Sequence, residues 1–462
     1  MRWKDIDMFS ENDIKELIAL DKQFVWHPFT QMSDWLEEEP LMVNEGEGCT
    51  LIDVHGRRYI DGISSLWVNV HGHRRAEIDQ AVMDQLGRIA HSTFLGLSNV
   101  PAVKLAKKLV EIMPSGLAKV FYSDNGSTGV EIALKMAFQY WQQRKDPRPA
   151  KTRFISMVNG YHGDTIGSVS VGGMDLFHQI YKPLLFDSIK VQAPYCYRCH
   201  LGKAYPECDM ICLEEMEETM ERHHQEVAAV VMEPLIQGAG GMVVFPEGYT
   251  RKVRDLAKEF NILFIADEVA TGFGRTGTLF ACAREGIEPD IMVAAKGITG
   301  GYLPLAVTVT TQEIFEAFCG EYGEQKTFFH GHTYTANPLA CAAALANLEI
   351  FQKEDTMGKL QHKIAILGQG LKSFRKLKHV GDIRQLGFMV GIELVQDRET
   401  RTPYPYEAKT GIKVIQEARK QGLVIRPLTD VVALMPPLSA GPEELEKLLD
   451  ISFRSIQKVT EG

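Results

Sequence analysis

The chain has 462 residues, of which 45% are hydrophobic and 24% are charged, a balance that excludes disordered and collagen-like proteins. Acidic residues outnumber basic ones by 60 to 50, and the net charge of −10 argues against a nucleic-acid partner. No apolar run approaches the ~20 residues needed to span a bilayer, and 8 cysteines in so long a chain do not form a disulfide framework. We therefore expect a cytoplasmic protein without membrane contact.

The N-terminal part of the chain predicts an amphipathic helix at 13–20 and a small hairpin within 43–61, whose turn lies at His55 and Gly56. Beyond it, short apolar runs alternate with amphipathic stretches. Runs that are apolar on consecutive residues indicate strands covered on both faces, as in the parallel sheet of an α/β domain. Runs of this kind lie at 118–123, 227–232, 262–266 and 291–295.

A helix is predicted at 130–141, soon after the first of these strands. Its polar residues Glu131, Lys135 and Gln139 are four positions apart and form one narrow stripe, on which Glu131 can pair with Lys135. The other positions are mostly apolar, which indicates a helix that lies largely inside the protein.

The C-terminal part alternates long amphipathic helices with strands at 388–394 and 423–426. We therefore expect an α/β fold with two domains. The large domain, at 71–341, contains a mainly parallel sheet. The smaller α+β domain combines the N-terminal segment 1–70 with residues 342–462.

A turn rich in glycine and hydroxyl groups, DNGSTG at 124–129, separates the first strand from the buried helix. The first N–H groups of a helix lack internal partners and lie at the positive end of its dipole, so they can bind a phosphate. Ser127 and Thr128 could add hydroxyl donors. Considered alone, the turn is also explained by an ordinary helix N-cap.

Two charged residues lie at the ends of apolar strands. Asp267 follows ILFIA, and Lys296 follows IMVAA. Open α/β sheets bind their ligands at the carboxyl ends of the strands. Burial there would lower the pKa of the Lys296 amine and make it a nucleophile, although a lone lysine after a strand is usually a surface residue.

The phosphate-binding turn, Asp267 and Lys296 together match the requirements of pyridoxal 5′-phosphate. This cofactor needs a lysine that forms a Schiff base, an acid that keeps its pyridine nitrogen protonated, and a site for its phosphate. Once displaced by substrate, Lys296 would carry a proton between substrate and cofactor. Tyr161 could stack on the pyridine ring, although an ordinary buried aromatic residue is an equally good explanation of it alone.

Five longer motifs occur along the chain: NGYHGDT (159–165), EP with QGAGG (233–241), ADEVATGFGRTG (266–277), AAKGITGG (294–301) and HGHTYTANPLACAAAL (330–345). In these motifs the chain resembles the class III aminotransferases, which are pyridoxal-phosphate-dependent transferases of fold type I. Within the class it is similar to the subgroup that converts 8-amino-7-oxononanoate to 7,8-diaminononanoate in biotin biosynthesis. The motifs of the subgroup are WHPFTQM (26–32), DGISSLWVNVHGH (61–73), IRPL (425–428) and LMPPL (434–438).

The resemblance implies a catalytic role for three residues. Lys296 would form the Schiff base, Asp267 would contact the ring nitrogen, and Tyr161 would stack on the ring. Gly126 and Ser127 would bind the phosphate. His162, Glu233 and Val269 are the further residues that would contact the cofactor.

The resemblance also implies a homodimer with shared active sites and no bound metal. His332 and Thr333 would reach the cofactor phosphate of the neighbouring subunit. Arg426 would hold the carboxylate of the keto acid, for which a guanidinium group is suited. Tyr161 and Lys296 would also contact the substrate. The other residues implied to contact it are Phe29, Leu66, Trp67, Asp164 and Gly331.

Two departures from the subgroup concern the amino donor. Many members that use S-adenosylmethionine have Tyr in place of Phe29, and a Trp pair in place of Leu66 and Trp67. Phe29 lacks the hydrogen bond of a phenol, and Leu66 removes an aromatic wall that a sulfonium cation would favour. The donor is lysine or S-adenosylmethionine, with lysine slightly favoured. Another class III ω-aminotransferase, acting on diamines or 4-aminobutyrate, is the alternative.

Two further patterns suggest other chemistry. GFGRTG at 272–277 satisfies the G-x-G-x-x-G fingerprint of a nicotinamide-dependent oxidoreductase. Asp290 follows it at about the right distance along the chain to contact the ribose of such a cofactor. Against this, Asp267 and Glu268 separate the strand from the glycines, and no long helix is predicted at Gly277. The second pattern is a group of cysteines whose spacing is tolerable for a zinc site, although reduced thiols that bind no metal explain it more simply. It consists of Cys196, Cys199, Cys208 and Cys212, with His200 among them.

Overall fold

A seven-stranded sheet forms the centre of the computed structural model, which describes residues 9–462. The smaller sheets have four, four and two strands. The strands are β1 (Val43–Glu47), β2 (Thr50–Asp53), β3 (Arg58–Asp61), β4 (Leu117–Ser123), β5 (Arg153–Met157), β6 (Ile189–Val191), β7 (Val227–Met232), β8 (Ile236–Gln237), β9 (Val243–Val244), β10 (Leu263–Asp267), β11 (Ile291–Ala294), β12 (Ala306–Thr311), β13 (Val380–Leu386), β14 (Met389–Leu394), β15 (Leu423–Val424), β16 (Arg426–Leu428) and β17 (Val431–Leu434).

Helices cover the sheets and form most of the two ends of the described chain. Within residues 9–462, none of them is both long and apolar enough to cross a membrane. They are α1 (Glu11–Phe24), α2 (Met32–Glu37), α3 (Ser64–Trp67), α4 (Ala76–Leu86), α5 (Val100–Ile112), α6 (Gly126–Gln143), α7 (Ile166–Val171), α8 (Asp175–His178), α9 (Leu213–His223), α10 (Tyr249–Glu259), α11 (Ala281–Arg284), α12 (Gln312–Glu316), α13 (Pro338–Lys353), α14 (Thr356–Leu371), α15 (Thr410–Lys420) and α16 (Pro442–Glu461).

The large sheet has the strand order β4-β12-β11-β10-β7-β5-β6. Strand β12 is antiparallel to both of its neighbours, and the other neighbouring pairs are parallel. Every strand except β12 therefore has its carboxyl end at the same edge of the sheet. The four predicted strands are β4, β7, β10 and β11, with ends shifted by no more than one residue.

Apolar helices and loops pack on both faces of this sheet. In β7, Val230 and Met232 pack in one core cluster, whereas Ala229 and Val231 pack in another. The second cluster includes most of the buried face of α6, the helix predicted at 130–141. Because both faces are covered, every residue of β7 is buried, which explains its unbroken apolar sequence.

The ends of the chain differ from the predictions in detail. The N-terminal helix is longer than predicted, and Ser10 caps it by accepting a hydrogen bond from Asp13 N. The predicted hairpin is formed by β2 and β3, and β1 adds a third strand. The single strand predicted at 423–426 is wrong, because the chain leaves β15 at Ile425 and enters another sheet as β16. Since β15 pairs with β3, it joins the C-terminal part of the chain to the N-terminal segment.

Candidate active site

Five strand ends of the large sheet meet at a cavity of about 670 Å³. The residues that follow or end these strands all line it, and each of them was singled out from the sequence. They are Gly126 and Ser127 after β4, Tyr161 and His162 after β5, Glu233 after β7, Asp267 at the end of β10 and Lys296 after β11.

Lys296 begins a short 3₁₀ turn directly after β11 and has a left-handed φ of 47°. Its Nζ lies 4.7 Å from the centre of the Trp67 ring. Burial lowers the pKa of the Lys296 amine, although the charges of Asp267 and Glu233 oppose this shift. Because the neutral amine is the nucleophilic form, the enclosed position favours attack by Lys296 on a carbonyl carbon.

Asp267 and His162 form a buried pair on the cavity wall. His162 Nδ1 lies 2.6 Å from Asp267 Oδ2, and the Val269 N–H donates to Asp267 Oδ1 at 3.0 Å. Both carboxylate oxygens are thus held in place. His162 Nε2 is buried and has no hydrogen-bond partner among the described residues. A carboxylate fixed in this way, at the wall of a cavity, suits the protonated nitrogen of a pyridine ring.

The N-terminus of α6 opens onto the same cavity. Asn125 caps the helix, because its side chain accepts a hydrogen bond from Thr128 N. A Cβ atom at Gly126 would lie 2.5 Å from Val269 Cγ1, so only glycine fits between helix and strand end. Ser127 Oγ lies 2.9 Å from Thr165 Oγ1. The turn is therefore an N-cap, as one prediction had it, and it also offers N–H and hydroxyl groups to a phosphate.

Glu131 fixes the loop that lies beside this turn, a contact that the sequence analysis missed. Its Oε1 accepts hydrogen bonds from Thr165 Oγ1 and Gly167 N, both at 2.6 Å. The Lys135 ammonium, predicted to pair with it, instead lies 3.1 Å from His330 Nδ1. The sequence offered one signal for this contact, a carboxylate one turn into a buried helix. The residues that donate hydrogen bonds to this carboxylate are more than thirty positions away in the chain, so they could not be identified from the sequence.

Glu233 and Tyr161 are joined by a hydrogen bond. Glu233 accepts hydrogen bonds from Tyr161 N at 3.2 Å and from Gly238 N at 2.8 Å. Burial raises the pKa of the Glu233 carboxyl to about 7. The Tyr161 hydroxyl donates to Asp164 Oδ2 at 2.7 Å, which fixes the orientation of its ring at the cavity wall. Burial and this carboxylate together raise the pKa of the Tyr161 phenol.

The predicted substrate-binding residues lie in two places. Trp67 and Asp164 line the cavity, whereas Phe29, Leu66 and Arg426 lie outside its wall. The Arg426 guanidinium is 6.0 Å from the centre of the Phe29 ring. The phenol of Tyr161 is close enough to Arg426 to raise the pKa of the guanidinium, although burial lowers it more strongly.

The segment 331–333 does not itself line the cavity of its own chain, but it contacts one residue that does. Gly331 and Thr333 are exposed. His332 Nε2 lies 3.4 Å from Asp124 Oδ1. The Cβ position of Gly331 is 3.8 Å from Leu95, so this segment lies against another exposed stretch of the large domain.

The G-x-G-x-x-G segment has a structural role. The next helix after it, α11, has only four residues. Arg275 is buried and donates to Asn69 O at 2.8 Å and to Pro436 O at 3.0 Å. Asp290 accepts a hydrogen bond from Phe264 N and pairs with Arg254. The oxidoreductase interpretation is therefore wrong, since it needs a helix whose N-terminus follows the glycines.

The four clustered cysteines and His200 surround a void of about 20 Å³ between β6 and α9. All four are free thiols. Burial raises the pKa of the Cys196 thiol to about 11. Among the residues that the structure describes, no three His, Cys, Asp or Glu side chains are arranged to hold a metal ion.

Comparisons with known proteins agree with this geometry. The family model described as "Aminotransferase class-III" matches residues 32–456. Adenosylmethionine-8-amino-7-oxononanoate aminotransferase of Geobacter sulfurreducens is 54% identical over 451 residues, which cover 97% of this chain and 99% of that protein. The relative of the same name from Aquifex aeolicus is 54% identical over 441 residues, covering 95% of this chain and 97% of its own.

Solved structures of the same class have the same fold. The crystal structure of adenosylmethionine-8-amino-7-oxononanoate aminotransferase from Methanocaldococcus jannaschii superposes with a TM-score of 0.92 at 48% identity, covering 96% of this chain and 99% of that one. An (S)-enantioselective ω-transaminase from Thermomicrobium roseum superposes with a TM-score of 0.92 at 35% identity, covering 98% and 100%. The predicted fold of the pyridoxal-phosphate-dependent transferases of type I is thereby confirmed.

Proposed function

Because the chain belongs to the class III aminotransferases, which are pyridoxal-phosphate-dependent enzymes, we propose that it transfers an amino group to 8-amino-7-oxononanoate, giving 7,8-diaminononanoate for biotin biosynthesis. One observation carries this proposal: an enclosed lysine, a buried carboxylate and a helix N-terminus meet at a single cavity. The relatives that are 54% identical over almost the whole chain have that acceptor in their names.

Each inner residue has a distinct task in the proposed reaction. When bound, pyridoxal phosphate supplies an aldehyde for the amine and a ring that withdraws electrons from the substrate carbon. Lys296 attaches it through Nζ and, once free, moves the proton at that carbon. Asp267 keeps the ring nitrogen protonated, and His162 holds the carboxylate in place. Gly126 and Ser127 bind the phosphate.

Tyr161, Val269 and Glu233 complete the pocket around the ring in this proposal. Tyr161 and Val269 provide walls for a flat ring, and the hydrogen bond from Tyr161 to Asp164 prevents the phenol from rotating. Glu233 faces the same space and accepts two backbone hydrogen bonds, so its position is fixed whether or not it carries a proton.

Arg426 binds the carboxylate of the keto acid. It is half-buried beside Phe29 and close to Tyr161, whose side chain lines the cavity. In this proposal, a long acid held there by its carboxylate extends its chain into the cavity, which Tyr161, Trp67 and Lys296 line. The guanidinium fork favours a carboxylate over a neutral group.

The working unit in this proposal is a cytoplasmic homodimer. Gly331, His332 and Thr333 would contribute to the cofactor site of the second copy. Leu95 and Phe329, which are 79% and 78% exposed, lie at or beside this segment, and a second copy would cover them. The pairing of β15 with β3 supports a small domain built from residues 1–70 and 342–462.

Lysine is the amino donor in this proposal. Phe29 and Leu66 are 56% and 47% exposed and offer neither a phenol nor a second indole to a sulfonium group.

A donor panel with 8-amino-7-oxononanoate as the fixed acceptor tests the function. We expect the purified holoenzyme to form 7,8-diaminononanoate, identified by mass spectrometry, with lysine and more slowly with S-adenosylmethionine. A preference for S-adenosylmethionine would overturn the donor assignment alone. No product with any donor, together with rapid amination of simple keto acids by 4-aminobutyrate or diamines, would replace the proposal with the ω-aminotransferase alternative.

A further inference from the structure

One asparagine interrupts the apolar buried face of the long helix α13. Asn347 is fully buried, and the other buried residues of this helix are all apolar. An amide in such a place costs free energy unless it is hydrogen-bonded, so a buried polar side chain is retained where it has a specific partner. Asn347 does not line the cavity of the candidate active site, and the proposed reaction gives it no task.

The partner of Asn347 is the short turn that begins with Lys296. Asn347 Nδ2 donates hydrogen bonds to Gly297 O and to Ile298 O, both at 3.0 Å. These two residues directly follow the lysine in the 3₁₀ turn Lys296–Thr299. Asn347 Oδ1 has no hydrogen-bond partner among the described residues. Within the part of the chain that the structure describes, the amide is therefore used only to hold this turn.

The turn needs support from outside because both of its ends have left-handed backbone angles. The φ angle is 47° at Lys296 and 65° at Gly300. A lysine enters this region only at an energetic cost, and it stays there where the surrounding structure holds it. Asn347 also packs closely against the far end, since a Cβ atom at Gly300 would lie 2.8 Å from Asn347 Oδ1. The amide thus contacts the turn in its middle and at its end.

The backbone of α13 is itself fixed at the level of Asn347. His71 Nε2 lies 3.2 Å from Asn347 O, and the His71 ring stands edge-on to the Phe351 ring at 4.7 Å between their centres. Burial lowers the pKa of His71 to about 4, so its ring is neutral at neutral pH and can donate from Nε2. The helix therefore offers the amide to the lysine turn from a rigid position.

The position of this turn decides where the reacting amine lies. The lysine side chain is a flexible four-carbon stem, so the backbone from which it starts must be fixed if Nζ is to be placed accurately. A group that transfers a proton has to lie within hydrogen-bond reach of the reacting carbon. A displacement of about 1 Å can cost on the order of 10²-fold in rate.

We propose that Asn347 is a positioning residue for Lys296, whose amide anchors the 3₁₀ turn and thereby holds Nζ within reach of the substrate carbon. This inference rests on the proposed function, in which Lys296 moves the proton at that carbon. It assigns a task to the one amide on the buried face of α13.

The test measures proton transfer by Lys296 in the holoenzyme. The cofactor-loaded enzyme is mixed with a donor amine alone, and the change in cofactor absorbance gives the rate of the first half-reaction. Asn347→Leu removes both hydrogen bonds with little change in side-chain volume, and we expect this rate to fall about tenfold or more per cofactor-loaded site. Deuterium at the carbon that bears the amino group should slow the variant more than the wild type, because proton transfer then makes up more of the barrier.

Ile350→Ala is the matched control for stability. Ile350 is buried in the same helix, but it packs with Ile78 in a core cluster that contains no residue of the lysine turn. This variant should have a lower melting temperature, with the rate per loaded site and the isotope effect of the wild type. A merely structural role of Asn347 would give the same result in Asn347→Leu.

Asn347→Asp tests the hydrogen bonds with the shape of the side chain unchanged. Burial favours the neutral carboxyl, which can donate one hydrogen bond in place of two. We expect a smaller loss of rate than in Asn347→Leu, again with a larger isotope effect than in the wild type. If Asn347→Leu does not fold, Asn347→Asp is compared with the wild type in its place.

The results distinguish this inference from the proposed function. A wild-type rate and isotope effect in the folded Asn347 variants would overturn the role of Asn347, as would a loss of rate without a larger isotope effect. A wild-type enzyme that reacts with no amine would instead contradict the proposed function. Rejection of 8-amino-7-oxononanoate would contradict the acceptor alone, because the half-reaction with the donor does not require it.

Discussion

The inner and outer halves of the candidate active site are built in different ways. Lys296 and Asp267 lie at the ends of buried strands of one sheet, so their separation is fixed by the sheet itself. Phe29, Leu66 and Arg426 come from three separate segments that do not belong to the large sheet, and they lie outside the cavity wall.

This difference separates chemistry from selection. Moving an inner residue requires a buried strand to shift, whereas an outer residue can change without disturbing the core. The inner half is therefore suited to one reaction, and the outer half is free to vary with the amine and the keto acid. Substitutions in the two halves should accordingly affect different kinetic constants.

The largest effect should come from the centre of the inner half. Lys296→Ala removes the only amine placed for covalent attachment in the cavity lining, and we expect turnover to fall by on the order of 10³-fold or more. Borohydride reduction followed by mass spectrometry should show attached cofactor in the wild type and none in the variant. Lys107→Ala, at an exposed lysine of α5, is the control. Turnover above a few per cent in Lys296→Ala would contradict the assignment.

Asp267→Asn tests the charge of the inner half and leaves its shape intact. The amide oxygen can still accept the Val269 N–H, but the ring nitrogen would lose its ionic partner. We expect kcat to fall about 10²-fold, since hydrogen bonds to charged groups contribute ~1.5–3 kcal/mol. Steady-state kinetics with saturating cofactor measures this, with the exposed Asp255→Asn as control. An unchanged kcat would show that the carboxylate does not act on the ring.

Arg426→Ala should alter the outer half alone. Loss of the charged partner should raise the KM for the keto acid by about tenfold to a hundredfold, whereas the KM for the donor should change little. Arg426→Lys retains the charge without the fork and should lie between the two. Equal changes in both KM values would contradict the difference between the halves, because they would indicate general damage to the site.

The same division explains how much the sequence could predict. Strand β7 was predicted with its observed ends, because six consecutive apolar residues indicate a strand whose two faces are both covered. Asp267 and Lys296 could then be placed together, because parallel strands end at one edge. These inferences need only local pattern and the geometry of a sheet.

Features that depend on distant contacts could not be read in this way. Glu131 has the spacing of a surface ion pair, yet its partners Thr165 and Gly167 belong to another segment. Residues 64–67 all have left-handed φ angles, although none of them is glycine. The Arg275 guanidinium, which donates a hydrogen bond to Ser64 Oγ, lies more than two hundred residues away in the chain. Likewise, nothing in the sequence 423–426 shows that the chain changes sheets within it.

The last expected effect concerns stability, not turnover, and the protons bound in the inner half. Burial raises the pKa of Glu233 to about 7, above its ordinary value of 4.5. Between these two pH values the folded protein binds more protons at this site than the unfolded chain does. The stability that this group contributes is therefore complete below pH 4.5 and is lost as the pH rises to about 7, by at most about 1.4 kcal/mol per pH unit.

Glu233→Gln removes this titration and keeps groups that can hydrogen-bond. The free energy of unfolding of the cofactor-free protein, measured in urea from pH 4.5 to 8, should fall less steeply in the variant than in the wild type. Groups common to both proteins cancel in the difference, and the exposed Glu247→Gln should reproduce the wild-type slope. None of the outer residues Phe29, Leu66 and Arg426 carries a carboxylate. Substitution of any of them should therefore leave this pH dependence unaltered. Identical slopes in wild type and Glu233→Gln would mean that the inner half holds Glu233 ionised throughout, with its charge stabilised by the two backbone N–H groups.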